Sequence, residues 1–234
     1  MNQIFRPSDA RGDVDFGWLK SKHTFSFGSY FDPNYIGFGA LRVINEDRVA
    51  PSAGFPDHPH ENMEILSYVV KGGLEHKDSL GTGSVIRPGD LQRMSAGTGV
   101  HHSEFNHSDT DPVHFLQIWI VPETERLQPS YEQKAFPDVD RQDTLRLIGS
   151  RDGRDGSVVI HQDVNLFSSL LSTDQSVTYE IEVGRKVWVQ LIKGALNINS
   201  QSLAVGDGLG ILENGTITLS AQDNAEFLLF DLAT

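Results

Sequence analysis

Two histidines flank a single proline in the stretch GFPDHPHENME, at His58 and His60. Side chains at i and i+2 of an extended chain share a face, so both imidazoles can converge on one point. Pro59 then turns away, at a strand start or edge where its missing N–H is tolerated. With nine histidines in 234 residues, such a pair alone does not separate a solvated loop from half of a metal site. A second pair of the same spacing, His102 and Glu104 in GTGVHHSEFN, changes the balance. Two strands that each point two ligands inward can surround one cation. Imidazole nitrogens and carboxylate oxygens bind divalent metals at about 2.0–2.2 Å. Three histidines and one carboxylate suit Fe(II), Mn, Ni, Cu or Zn without choosing among them.

Competing chemistries are thinned by composition. The chain has no cysteine, which excludes disulfides, thiolate metal sites and thiol nucleophiles. A formal charge of −13 repels phosphate backbones, so direct nucleic-acid binding is not expected. The start, MNQIFRPSDARGD, has no apolar targeting core, and no segment reaches the length of a membrane span. The expectation is therefore a cytoplasmic protein with no membrane partner.

The elements that must carry these residues read as strands. The chain is 38% hydrophobic and holds 22 glycines, and its Val, Ile and Phe fall in short runs between turn residues. Strands are expected over Gly39 to Asn45, over ILSYVV from Ile65 to Val70, and over HFLQIWIVPE from His114. LEHKDSLGTGS reads as a strand entering a hairpin. Pro122 to Asp143 is polar and proline-containing, as an interdomain connection would be. Beyond it the pattern repeats: VWVQLIKGALNIN resembles EILSYVVKGGLEH, and AVGDGLGILENG resembles IRPGDLQRMSAG. Internal self-similarity points to two similar all-β barrels or sandwiches, of which jelly rolls, the group that includes cupins, fit best. The division expected is an N-terminal metal-binding barrel over 1–125, a connection over 126–145, and a C-terminal barrel without a metal site over 146–234.

HPHENME carries the His-x-His-x3-Glu spacing of the first cupin motif, with Gly72 closing it slightly late. The second motif is looser, beginning at Gly89 with two extra residues before His102, although Asn106 follows four residues on. Over the whole chain the sequence resembles the bacterial pirins of the quercetinase type. HTFSF, FGALRVINEDRV, FPDHPHENMEILSYV, HKDSLG, GDLQRMSAGTGVHHSE, QIWIVPE, YEQKAF, DGSVVIHQD and KVWVQLIKG match that family in order. The resemblance implies a bicupin fold and one divalent metal ion held by His58, His60, His102 and Glu104. Fe2+ leads, with Mn, Ni, Cu, Co or Zn as alternatives. It implies a quercetin 2,3-dioxygenase activity in which a flavonol or similar planar enol is opened by O2, giving a depside and carbon monoxide, with Glu104 as the catalytic base. The rival class is a non-enzymatic, metal-responsive binding protein, as the animal relatives are iron-dependent transcriptional coregulators. Oligomeric state is open, monomer included.

Other residues read more plainly. Glu64 shares strand parity with His58 and His60, yet the pirin pattern uses Glu104, leaving Glu64 to support a ligand or face the pocket. His101 is expected to point outward and His76 to sit in a turn or on the surface. His23 and His114 read as packed or solvated, Gln117 as a cross-strand residue and Trp188 as core. Counted back from Gly194, the second copy holds Glu180 and Glu182 where the first has His58 and His60, and that barrel reads as structural.

Overall fold

Segments with alternating or continuous apolar side chains are strands in the computed structural model, which describes residues 2–234. The one α-helix among the described residues is the four-residue turn Asp138–Arg141, and no helix is long and apolar enough to cross a membrane. The chain divides into two compact units. Strand β1 (Gln3–Arg6) belongs to the C-terminal one, together with Phe136–Ser157 and Asp163–Thr234.

The N-terminal unit comprises Gly12–Ala135 and Val158–Gln162. Its strands are β2 (Gly12–Asp15), β3 (Leu19–His23), β4 (Leu41–Val49), β5 (Gly54–His60), β6 (Glu64–Lys71) and β7 (Leu74–Asp78). They continue with β8 (Gly83–Ile86), β9 (Asp90–Ser95), β10 (Val100–Asn106), β11 (Val113–Ile120) and β12 (Ser130–Ala135). One sheet runs β12-β9-β6-β11-β4-β3-β2 and the other β5-β10-β7-β8. Such a pair of antiparallel sheets, with strands alternating between them along the chain, is a jelly roll. The C-terminal unit repeats the order. Its larger sheet runs β1, Gly208–Ile211, Arg185–Lys193, Ala225–Ala233, Val164–Leu171, Arg146–Ser150. Its smaller sheet runs Ser176–Ile181, Gly215–Ala221, Leu196–Ile198, Gln201–Leu203. The fold is an all-β bicupin.

Three features differ from the sequence reading. β4 does not stop at Asn45 but continues to Val49 through Asn45, Glu46 and Asp47, all buried. Polar residues persist there because Glu46 accepts hydrogen bonds from His114 and Arg48, both at 2.9 Å, while Asn45 and Asp47 line a cavity. The polar stretch read as a connection contains β12, which pairs with β9 from Ser130↔Ser95 to Ala135↔Asp90. Its side chains are held by polar partners, such as Arg93 against Glu132 at 3.3 Å, so it lacks an apolar alternation. Residues 2–11, expected in the N-terminal barrel, thus belong to the C-terminal unit, and β12, expected in the connection, belongs to the N-terminal unit.

The two interiors are filled differently. In the C-terminal unit one continuous cluster, including Ile181, Val187, Leu196, Leu209, Phe227 and Leu229, packs the barrel, and Trp188 is fully buried as expected. Glu180 and Glu182 are exposed, since the inward positions of that strand are Tyr179 and Ile181. In the N-terminal unit smaller apolar clusters form around Leu74, Ile86 and Phe115 and around Ile65, Met94 and Val100, and polar side chains, Glu104, Gln117, Asn45 and Asp47 among them, line a cavity.

β5 and β10 approach closely because of Gly54, where an added Cβ would lie 2.3 Å from the Glu104 carbonyl oxygen and 2.6 Å from Phe105 Cα. Both obstacles are backbone, so they cannot yield by a rotamer change. Gly54→Ala is expected to cost about 1–3 kcal/mol, read as a lower urea midpoint of the metal-free protein. An unchanged midpoint would show that the β5–β10 spacing is not set there.

Candidate metal centre

β5 and β10 run antiparallel with His58 opposite His102 and His60 opposite Val100. The register then shifts, so that Glu104 faces Phe55. β5 therefore carries one extra residue, a bulge at Pro56–Asp57. A bulge re-aims side chains, and here it lets Phe55 and His58, three residues apart, both line one cavity. Pro56, Asp57 and Pro59 are exposed.

The ring nitrogens of His58, His60 and His102 lie within 4.8 Å of one another. Ring centroids are 4.7 Å apart for His58–His60, 4.4 Å for His58–His102 and 4.9 Å for His60–His102. His58 Nδ1 donates to the Pro56 carbonyl at 2.8 Å, because a carbonyl can only accept, and this leaves Nε2 as the free lone pair. His102 is 1% exposed, and neither of its ring nitrogens has a hydrogen-bond partner in the protein. Buried polar atoms without partners are costly. Burial, with His58 beside it, pulls His60 down to about 4. Burial and then the neighbouring His58, His60 and His76 pull His102 down to about 2. These imidazoles are therefore neutral at pH 7, the form that ligates. Converging neutral imidazoles with unpartnered nitrogens fit a divalent cation and fit no packing role.

Glu104 is 2% exposed and falls in a second set of the same compactness with His76 and His102. His102 is the member common to both. The Gln117 amide donates to Glu104 Oε2 at 2.7 Å. The Ser67 hydroxyl is shared between Glu104 Oε1 at 3.1 Å and Gln117 Oε1 at 3.0 Å. Burial pushes the Glu104 carboxyl up to about 7 against these hydrogen bonds.

Several residues lie elsewhere than the sequence suggested. His76 is not in a turn or on the surface: it is fully buried in β7, opposite Glu104, with Nε2 3.0 Å from Asp78. The alternation Leu74, His76, Asp78 carried that signal, but the adjacent hairpin residues obscured it. Gln117 points into the barrel rather than serving a plain cross-strand role. Glu64 faces neither the histidines nor the cavity. It is buried against His161, whose backbone N–H donates to Glu64 Oε2 at 3.1 Å, and lies 4.0 Å from Arg93. Parity counted from His60 fails because Asn62, at φ +50°, breaks the extended chain between β5 and β6. His101 is exposed beside Asp57, as expected. His23 is packed against Phe27 and His114 is paired with Glu46.

The histidines open onto a cavity of about 210 Å³. Phe16, Phe27, Phe55, Leu19 and Trp119 give it apolar walls, and the ring of Trp119 lies 5.0 Å from that of His60. Glu104, Gln117, Asn45 and Asp47 supply its polar positions.

Comparison with known proteins places this architecture. Residues 4–120 match the family model described as pirin, and residues 147–232 match that of the quercetinase C-terminal cupin domain. The chain is 45% identical over 227 residues to a quercetin 2,3-dioxygenase of Escherichia coli K12, covering 97% of each. It is 39% identical to a pirin-like protein of Caulobacter vibrioides, covering 97% of this chain and 98% of that one. Among solved structures it is similar to the bacterial pirin YhhW of Escherichia coli in complex with nickel(II), at 44% identity and a TM-score of 0.95 over 99% of each chain. A quercetin 2,3-dioxygenase of Acinetobacter baumannii shares the fold, at 19% identity and a TM-score of 0.76 over 99% of this chain and 78% of that one. The chain belongs to the pirin family.

Proposed function

We propose that this chain is a metal-dependent dioxygenase that opens the central ring of a flavonol or similar planar enol with O2. The observation that carries the reading is the convergence of His58, His60 and His102, the last with both ring nitrogens unpartnered, beside an apolar, aromatic-lined cavity whose wall includes His58 and His60. The relatives named as quercetin 2,3-dioxygenases support it, and the nickel complex of a 44% identical pirin supports a divalent ion at the histidines.

In this reading His58, His60, His102 and Glu104 hold the cation, which supplies Lewis acidity toward an enolate oxygen and open positions for exogenous ligands. Iron is the ion the family resemblance favours. Phe16, Phe27, Phe55 and Trp119 take the planar body of the substrate and exclude water from it. Glu104, the carboxylate of the set, accepts the enol proton. Gln117 and Ser67 fix its orientation, and the Asp78 carboxylate holds the His76 ring beside it.

The metal-loaded protein is expected to consume O2 with quercetin and to bleach its long-wavelength absorbance. His58→Ala and His102→Ala should each abolish both signals while circular dichroism stays that of the folded barrel. Full metal occupancy without O2 uptake on any flavonol or enol would leave a metal-responsive binding protein as the better account.

The role of Glu104 has its own test. With its carboxyl near 7 in the metal-free protein, Glu104 is mostly protonated at pH 6, and ligation requires the anion. Metal binding at pH 6 should therefore release about one proton more from wild type than from Glu104→Gln, measured by titration calorimetry in buffers of different ionisation enthalpy. Equal release by the two proteins would remove Glu104 from the ligand set.

A further inference from the structure

The inner face of the larger N-terminal sheet carries a polar row that the metal site does not use up. Register places Ser67 opposite Gln117, Gln117 opposite Asn45, and Asn45 opposite His23 across β6, β11, β4 and β3. The next inward position on β4 is Asp47, opposite Ser21. Ser67 and Gln117 are spoken for by Glu104. Asn45 and Asp47 each keep one oxygen outside such contacts, although the Ser21 hydroxyl also bears on the Asp47 carboxyl. Each is 4% exposed and lines the cavity, yet Asn45 Oδ1 and Asp47 Oδ1 have no hydrogen-bond partner in the protein. Strands of one sheet are about 4.8 Å apart, so these residues sit one strand beyond Gln117, whose amide holds Glu104.

Two unpartnered acceptors in one buried wall are destabilising unless what enters the cavity meets them. Beside the polar Ser21 and His23, the wall around them is made apolar by Val14, Phe16, Leu19 and Phe55. A ligand suited to this surface has a planar apolar body with a hydroxyl at a point distant from the enol. A phenolic hydroxyl can donate to either oxygen and can also accept, so it pairs with Asp47 in both protonation states. Burial raises the Asp47 carboxyl to about 7, which makes both states relevant.

We propose that Asn45 and Asp47 form a polar subsite that recognises a phenolic hydroxyl of the substrate remote from its enol, so that the cavity selects polyhydroxylated over bare flavonols. This assignment rests on the flavonol reading of the site and makes these two residues specificity determinants rather than participants in the chemistry.

The test is anaerobic titration calorimetry on the nickel-loaded protein with quercetin and with 3-hydroxyflavone, which keeps the enol and lacks the other hydroxyls. Wild type should bind quercetin about 10- to 100-fold more tightly, the factor expected when a buried acceptor is left unpaired. Asn45→Leu and Asp47→Leu should each shrink that ratio by weakening quercetin while 3-hydroxyflavone binds as well or better. Asp47→Asn, which keeps an acceptor, should retain the preference. An equal affinity of wild type for the two flavonols, or an unchanged ratio in both leucine variants, would overturn the subsite and leave the dioxygenase reading standing. Wild type binding neither flavonol would overturn the flavonol reading, and the subsite with it. The wild-type ratio is decisive even if a leucine variant fails to fold.

Discussion

Convergence of imidazoles inside a barrel is the constraint on which the N-terminal unit is organised. His58, His60 and His102 bring their ring nitrogens within 4.8 Å of one another, and no carboxylate belongs to that set. Burial holds His60 and His102 below the ordinary imidazole range, so these two rings stay neutral at pH 7 and their lone pairs remain available. A cluster of this kind adds little to the stability of the unliganded fold, because the nitrogens of His102 go unpaired. In the proposed reading it gains its free energy from a cation, which would make metal binding and the stability of β5 and β10 one linked quantity.

That constraint reaches outward through specific contacts. The bulge in β5 and the absence of a side chain at Gly54 set how β5 meets β10. Ser67 and Gln117, from the opposite sheet, hold both oxygens of Glu104, so the two sheets are tied together at the site by polar contacts where the C-terminal barrel is packed by hydrocarbon. The comparison of the two copies is instructive. Where the first has a cavity with polar side chains in its wall, the second has a continuous apolar cluster. The same topology thus serves either as a container or as a filled scaffold, and the inward side chains decide which.

The fold and the convergence of His58, His60 and His102 were legible in the sequence because both rest on period two. His58 and His60, and His102 and Glu104, lie at i and i+2, and the repeated Lys-Gly hinge with its flanking strands exposed the duplication. What escaped depends on neighbours distant in sequence. Gln117 and Asp47 are polar residues in runs that read equally well as an outward face, and only the register of β4, β11 and β6 shows that they point inward. His76 was hidden by its place beside a hairpin. Glu64 misled for the converse reason: parity carries only along an unbroken strand, and Asn62 breaks this one. β12 lacked an apolar alternation because its contacts are polar.

Elemental analysis of the nickel-loaded chain after extensive dialysis, for wild type and for His102→Ala, tests the central claim most directly. His102 is the residue shared by both ligand sets and lies on β10. The account predicts one equivalent of metal per chain in wild type and loss of the metal in the folded variant. A full equivalent retained by His102→Ala, or two equivalents in wild type, would contradict it.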